Sequence, residues 1–166
     1  VVIARGDEPW EVLFLKRHHK SGFMANAYVF PGGRVDPSDA SPALVSRIDG
    51  LDLGALSSAM GGLASDQEAA SYVIAAVRET FEEAGVLLAR DRTGELVDFT
   101  DEASMERFGT WRDRLNAGEA TFESFLAEED LRIAGEGLRY FDHWVTPADE
   151  PRRYDARFFV VAAPPG

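Results

Sequence analysis

DQEAASYVIAAVRETFEEAG, residues 66–85, decides the architecture of this chain. At 100° per residue, Ala70, Val73, Val77, Phe81 and Ala84 fall on one stripe. That pattern predicts an amphipathic helix over Asp66–Ala84 with the stripe facing the core. Gly85 reads as the residue just past the helix, where a left-handed backbone ends it. Glu79, Glu82 and Glu83 are spaced i, i+3 and i+4 and cluster on the opposite side. Carboxylates so placed repel one another by roughly a few tenths of a kcal/mol per pair. The macrodipole makes anions worse still near a helix C-terminus. Something positive is therefore expected among them; the plain alternative is a solvated acidic face.

Upstream, FPGGRVDPSDA (residues 30–40) follows the strand-like AYVF (27–30). A tight turn does not need two adjacent glycines, so a close approach to the backbone at Gly32 and Gly33 is expected, with an ordinary turn as the alternative. Magnesium prefers hard oxygen ligands and is commonly shared with substrate phosphates. Helical glutamates and a carbonyl from this glycine turn would suit it.

The flanking segments predict a mixed α/β chain. VVIAR and EVLFLKR, separated by GDEP, read as a hairpin. Ser41 followed by Pro42 marks the start of a helix over 42–48. The glycine-containing tract 49–65 reads as an insertion with weak helical character. VLLA (86–89) reads as a short strand. Residues 101–130 read as two helices, with Phe108, Trp111, Phe122 and Phe125 packing the pair onto the body. LRYFDHWVTP and RRYDARFFVVAA are the last two strands.

The 166 residues suit one domain with a sizeable core. A formal net charge of −12 disfavours nucleic acid or an anionic membrane as partner. With no cysteine, disulfides and thiolate metal sites are ruled out. No apolar run is long enough to span a membrane and no signal peptide opens the chain, so a cytoplasmic location is expected. Only Lys16 and Lys20 among seventeen basic residues are lysines, a bias associated with GC-rich bacterial genomes.

GGRVDPSD and RETFEEAGV together resemble the Nudix box. Gly33 matches its first glycine, Asp39 stands where the first glutamate belongs, and Arg78, Glu79, Glu82, Glu83, Gly85 and Val86 match its second half. Thr80 replaces the usual aliphatic residue. Residues 40–77 separate the two halves where the family has a short spacer, so about 40–69 form an insertion within the box. SGFMANAYVFPGG, HWVTP and PRRYDARFF resemble the inserted-box branch of peroxisomal-type coenzyme A diphosphatases and their bacterial relatives.

The resemblance implies a single Nudix domain over 1–166. Its fold would be an α/β/α sandwich around a mixed, curved sheet, with a second helical insertion at about 101–130. The family places a helix after the last strand, and nothing after Val161 reads as one, so that helix is expected to be missing. The implied reaction is metal-dependent hydrolysis of a nucleoside diphosphate linked to another moiety, foremost coenzyme A or an acyl-coenzyme A. ADP-ribose, NADH or nucleotide-sugar conjugates are the runners-up, and a non-catalytic nucleotide-binding module is the rival class. Mg2+ or Mn2+ would be held by Glu79, Glu82, Glu83 and a carbonyl of Gly32, with Arg78 orienting Glu79. A homodimer is compatible with this reading.

Other polar residues admit two readings. Arg17, His18, His19 and Lys20 form a basic island that suits a substrate phosphate or is a solvated loop. Adjacent histidines on extended chain point to opposite faces and make poor joint ligands. His143 reads as a packed structural histidine. Arg153, Asp155 and Arg157 share one strand face, either lining the substrate pocket or forming a salt-bridge ladder. Gly33 and Asp39 complete the expected substrate contacts.

Overall fold

The structure, a computed structural model, describes residues 1–17, 26–150 and 153–164. In chain order the elements are β1 (Val2–Arg5), β2 (Glu11–Val12), β3 (Leu15–Lys16), β4 (Tyr28–Val29), a 3-10 turn (Pro37–Ala40), α1 (Pro42–Val45), β5 (Ile48–Asp49), α2 (Leu53–Met60), α3 (Asp66–Ala84) and β6 (Ala89–Arg90). Then follow α4 (Glu102–Asn116), α5 (Phe122–Glu128), β7 (Arg132–Ala134), a 3-10 turn (Gly135–Gly137), β8 (Arg139–Val145) and β9 (Asp155–Ala162).

The expected mixed sheet is present but divided. A four-stranded sheet runs β2-β1-β9-β8, with β1 parallel to β9 and the other pairs antiparallel. β3 and β4 pair by themselves, and β5-β7-β6 form a third sheet. EVLFLKR therefore serves two sheets: β2 pairs with β1, and the same stretch then continues as β3 against β4. Neither β5 nor β7 was expected, since strands of two or three residues are too short to show a period-2 pattern. The helix expected over 42–48 ends at Val45, and β5 takes up its last residue. Its start holds: the Ser41 hydroxyl accepts from the Ala43 N–H.

α3 is buried on more than the expected stripe. Ala70, Val73, Val77 and Phe81 are all buried, and so are Ala69, Ile74, Ala75, Ala76 and Thr80. On one side α3 meets the sheet core of Ile3, Phe159 and Val161. On another, Phe81 stacks on Phe125 with ring centroids 5.0 Å apart. Phe125 in turn touches the rings of Phe108, Trp111 and Phe122, so the aromatics of α4 and α5 dock this helical pair onto the body. Among the described residues, no helix is long and apolar enough to cross a membrane.

Thr80 fills a slot shaped for an aliphatic side chain. It is fully buried, and its Oγ1 has no hydrogen-bond partner among the described residues. A buried hydroxyl left unpaired costs about 1–3 kcal/mol. Thr80→Val is expected to raise unfolding stability by about 1 kcal/mol, read as a higher urea midpoint with an unchanged m-value.

Candidate active site

α3 carries the acidic cluster, and its ends explain how a helix tolerates it. The Ser65 hydroxyl accepts from the Glu68 N–H, with Asp66 and Glu68 in the first turn where the dipole favours anions. Gly85, at φ 71°, closes the other end with its N–H on the Phe81 carbonyl. A positive charge also reaches that end from α4, on the backbone carbonyls and not among the carboxylates where the sequence expects one. Arg112 Nε donates to the Glu82 carbonyl at 2.8 Å and Nη2 to the Glu83 carbonyl at 2.7 Å. Asn116 adds a longer bond to the Glu82 carbonyl at 3.3 Å. A guanidinium on the orphan carbonyls offsets the unfavourable dipole beside the glutamates.

The segment 31–40 lies over the same helix face and is held there by Arg78. Arg78 Nε and Nη2 grip the two oxygens of Asp39 at 2.9 and 3.0 Å, a paired fork geometry. Nη2 also donates to the Arg34 carbonyl at 2.9 Å. Nη1 reaches Glu79 Oε1 at 2.9 Å and Glu82 Oε2 at 3.1 Å. All five guanidinium donors are thereby used. The Asp36 N–H donates to Asp39 Oδ2 at 2.8 Å and completes the loop.

This geometry corrects the role expected for Asp39. It is 1% exposed, it braces Arg78, and with both oxygens engaged it has none free for a substrate. Despite its shorter side chain and the long insertion, it reaches the arginine of the motif's second half. The plain acidic-surface reading fails as well, since the Glu79 and Glu82 side chains are only 16% and 19% exposed.

The glycine turn comes as close as the sequence required. The Gly32 N–H donates to Glu83 Oε2 at 2.9 Å. A Cβ on Gly33 would lie 2.4 Å from the Glu79 carboxylate, so any side chain there requires that carboxylate to shift. Burial pushes the Glu79 carboxyl above its usual value; Arg78 pulls it down, and the charges of Glu82 and Glu83 push it up again. Burial likewise raises Glu82, against the pull of Arg78 and with the charges of Asp39 and Asp36 added.

Among the described residues no three acidic or histidine groups converge on a single point. The glutamates are instead turned onto Arg78 and the Gly32 N–H. One oxygen of each, Glu79 Oε2, Glu82 Oε1 and Glu83 Oε1, makes no hydrogen bond among the described residues. These three spare carboxylate oxygens share one helix face, two of them on half-buried groups at a negative dipole end, and are of the hard donor type that divalent cations take, without converging on one point.

The remaining expected residues divide. Arg157 forms the ladder: its Nη1 meets Asp155 Oδ1 at 3.0 Å, and His143 Nε2 meets the same oxygen at 2.6 Å. His143 is half-buried, as a structural histidine would be. Arg157 also donates to the Tyr72 hydroxyl at 2.9 Å and lies over the Tyr72 ring. Arg153 is outside this ladder, exposed, with Nε on the Thr146 carbonyl at 3.4 Å. Arg17 is exposed just after β3, its N–H on the Ala27 carbonyl. His18, His19, Lys20, the SGFM segment and Arg152 lie outside the described residues. Arg112, Asn116 and Tyr72 were not singled out in the sequence. Tyr72 had a legible signal, seven residues before Glu79 and so on the same helix face.

Residues 5–164 match the family model described as the NUDT19 Nudix domain. The chain is 33% identical over 180 residues to an acyl-coenzyme A diphosphatase NUDT19 of Xenopus laevis, covering 91% of this chain and 47% of that protein. It is 32% identical over 181 residues to the Gallus gallus protein of the same name, covering 91% and 48%. The chain thus spans about half the length of these relatives. The crystal structure of a NUDIX hydrolase from Alicyclobacillus acidocaldarius superposes with a TM-score of 0.67 at 27% identity, over 98% of this chain and 67% of that one. Split motif, rejoined geometry and sequence match agree: the chain belongs to the NUDT19 Nudix domain family.

Proposed function

We infer that the chain is a divalent-metal-dependent diphosphatase acting on a nucleoside diphosphate linked to another moiety, with coenzyme A or an acyl-coenzyme A as substrate. The observation that carries this reading is the set of three spare carboxylate oxygens on α3 beside the Gly32–Gly33 turn. The names of the Xenopus and Gallus relatives support the choice of substrate.

Glu79, Glu82 and Glu83 would hold Mg2+ or Mn2+, with Gly32 as the backbone contributor. Such an ion neutralises diphosphate charge and lowers the pKa of water. Arg78 holds one oxygen of Glu79 and one of Glu82, leaving the other oxygen of each to turn toward the ion. Glu79, beside Gly33, would serve either as a ligand of the ion or as the group that takes the proton of the attacking water. The water oxygen bonds to one phosphorus, the P–O–P bridge breaks, and the bridging oxygen leaves on the other phosphate. Gly32 and Gly33 let the phosphates approach the backbone. Arg17 and Arg153, exposed cations in a chain of net charge −12, are available to further substrate phosphate. Arg157, with a side chain 7% exposed, steadies Tyr72 on the glutamate face.

The first experiment is magnesium-dependent product release from coenzyme A, acyl-coenzyme A, ADP-ribose and NADH at matched concentrations. Faster turnover of the last two would reassign the substrate, and no turnover of any would leave a binding module. Glu83→Gln keeps an acceptor for the Gly32 N–H but removes one charge. Loss of an outer-shell partner typically costs 10–100-fold, so loss of this ligand should slow turnover by about 100-fold or more. Its metal-free melting temperature should match or exceed wild type, while the magnesium-induced rise disappears. Gly33→Ala should displace the Glu79 carboxylate and cut kcat by about 100-fold. Its stability should stay within about 1 kcal/mol of wild type, because the clash is with the end of a flexible side chain.

A further inference from the structure

The four-stranded sheet has a second face, which the site described so far does not use. Arg157, Phe159 and Val161 of β9 point toward the α3 side, where Arg157 meets Tyr72 and the other two are buried. Ala156, Phe158 and Val160 alternate onto the opposite face and are half-buried. There Trp144 of β8 packs edge-on against Phe158 with ring centroids 5.5 Å apart. Phe158 meets Phe30 at 6.5 Å, and Phe30 stacks on Phe14 at 4.8 Å. Trp144 is 65% exposed and Phe14 47%. The Trp144 ring is held in place, its Nε1 donating to Asp142 Oδ2 at 2.6 Å. These rings form a continuous, partly open aromatic wall.

The wall begins beside the candidate site. Phe30 is two residues before Gly32, whose N–H binds Glu83. Two residues of extended chain reach at most about 7 Å. We propose that this wall is the subsite for the planar base of the nucleotide, stacked on the exposed ring of Trp144 and bordered by Phe158 and Phe30; this rests on the diphosphatase reading above. The chemistry selects the base over the other half of the substrate by distance. In a coenzyme A thioester one sugar separates the adenine from the diphosphate, whereas the whole pantetheine arm separates the acyl group from it. A wall starting next to the diphosphate-binding turn is at the reach of the base. Its surface suits a flat ring too, because exposed aromatic faces stack on a base without needing hydrogen-bond readout.

Trp144 supplies its own reporter, since a stacked base quenches indole fluorescence. The probes are AMP, ribose 5-phosphate, which lacks the base, and phosphopantetheine, which is the other half of the substrate. AMP is expected to quench and ribose 5-phosphate is not. Trp144→Leu should abolish the quenching and raise KM for acetyl-coenzyme A about tenfold with kcat within about twofold. Tenfold corresponds to about 1.4 kcal/mol, inside the range of about 1–3 kcal/mol for one base on an aromatic ring. Phe14→Leu, a second exposed position, should retain Trp144 quenching with weaker AMP binding.

Quenching by phosphopantetheine in place of AMP would overturn the assignment. So would an unchanged KM in Trp144→Leu, including the case where that variant instead turns a dimer into a monomer. If AMP quenches but no diphosphate conjugate is hydrolysed, the base subsite stands and the diphosphatase reading falls. Normal turnover without quenching, and with KM unchanged in the variant, refutes the subsite alone.

Discussion

One buried guanidinium organises this molecule. The Arg78 side chain is 9% exposed and directs its donors to Asp39, the Arg34 carbonyl, Glu79 and Glu82. A charge that deep is tolerable only when fully paired, because removing one partner of a buried pair typically costs about 3–5 kcal/mol. Burial opposes the charged form of Arg78, and Asp39, then Glu79 and Glu82, more than restore it. Full pairing can be met in one arrangement: α3 must carry the arginine, and the chain after Phe30 must fold over it. The glycine turn is brought against Glu79 and Glu83 as a consequence.

This constraint explains how the motif survives a long insertion. The segment between Asp39 and α3 forms α1, β5 and α2, and α2 packs on α3 and β8 without entering the site. Asp39 arrives under Arg78 across whatever chain lies between. A second cation, Arg112 of α4, holds the carbonyls of Glu82 and Glu83 from the other side. The helix thus carries three acids where its dipole is least hospitable, held by arginines from within and from α4. That leaves one oxygen of each glutamate for a ligand.

Much of this was legible in the sequence, and the failures have physical causes. α3 could be read to its ends because nineteen residues repeat a 3.6 period between Ser65 and Gly85. Asp39 was placed by motif spacing, but its role was missed, since spacing does not show which residue lies beneath another. Arg112 and Asn116 were hidden because the aromatics of α4 dominate its pattern, and the cap they form is a tertiary contact. LGALSSAM in α2 sets only Leu53, Leu56 and Met60 among small residues, too few for a clear 3.6 period. Phe14 and Phe30 read as ordinary strand hydrophobics, and only the register β3 adopts against β4 brings their rings into contact.

The central claim is that Arg78 and Asp39 act as one unit that assembles the site. A double-mutant cycle tests it, with Asp39→Asn, Arg78→Gln and the double variant unfolded in urea without magnesium. A coupling energy of about 2–3 kcal/mol is predicted, with the double variant less destabilised than the two single losses combined. Single losses that add to within about 0.5 kcal/mol would mean that the two residues act independently, and would contradict the account.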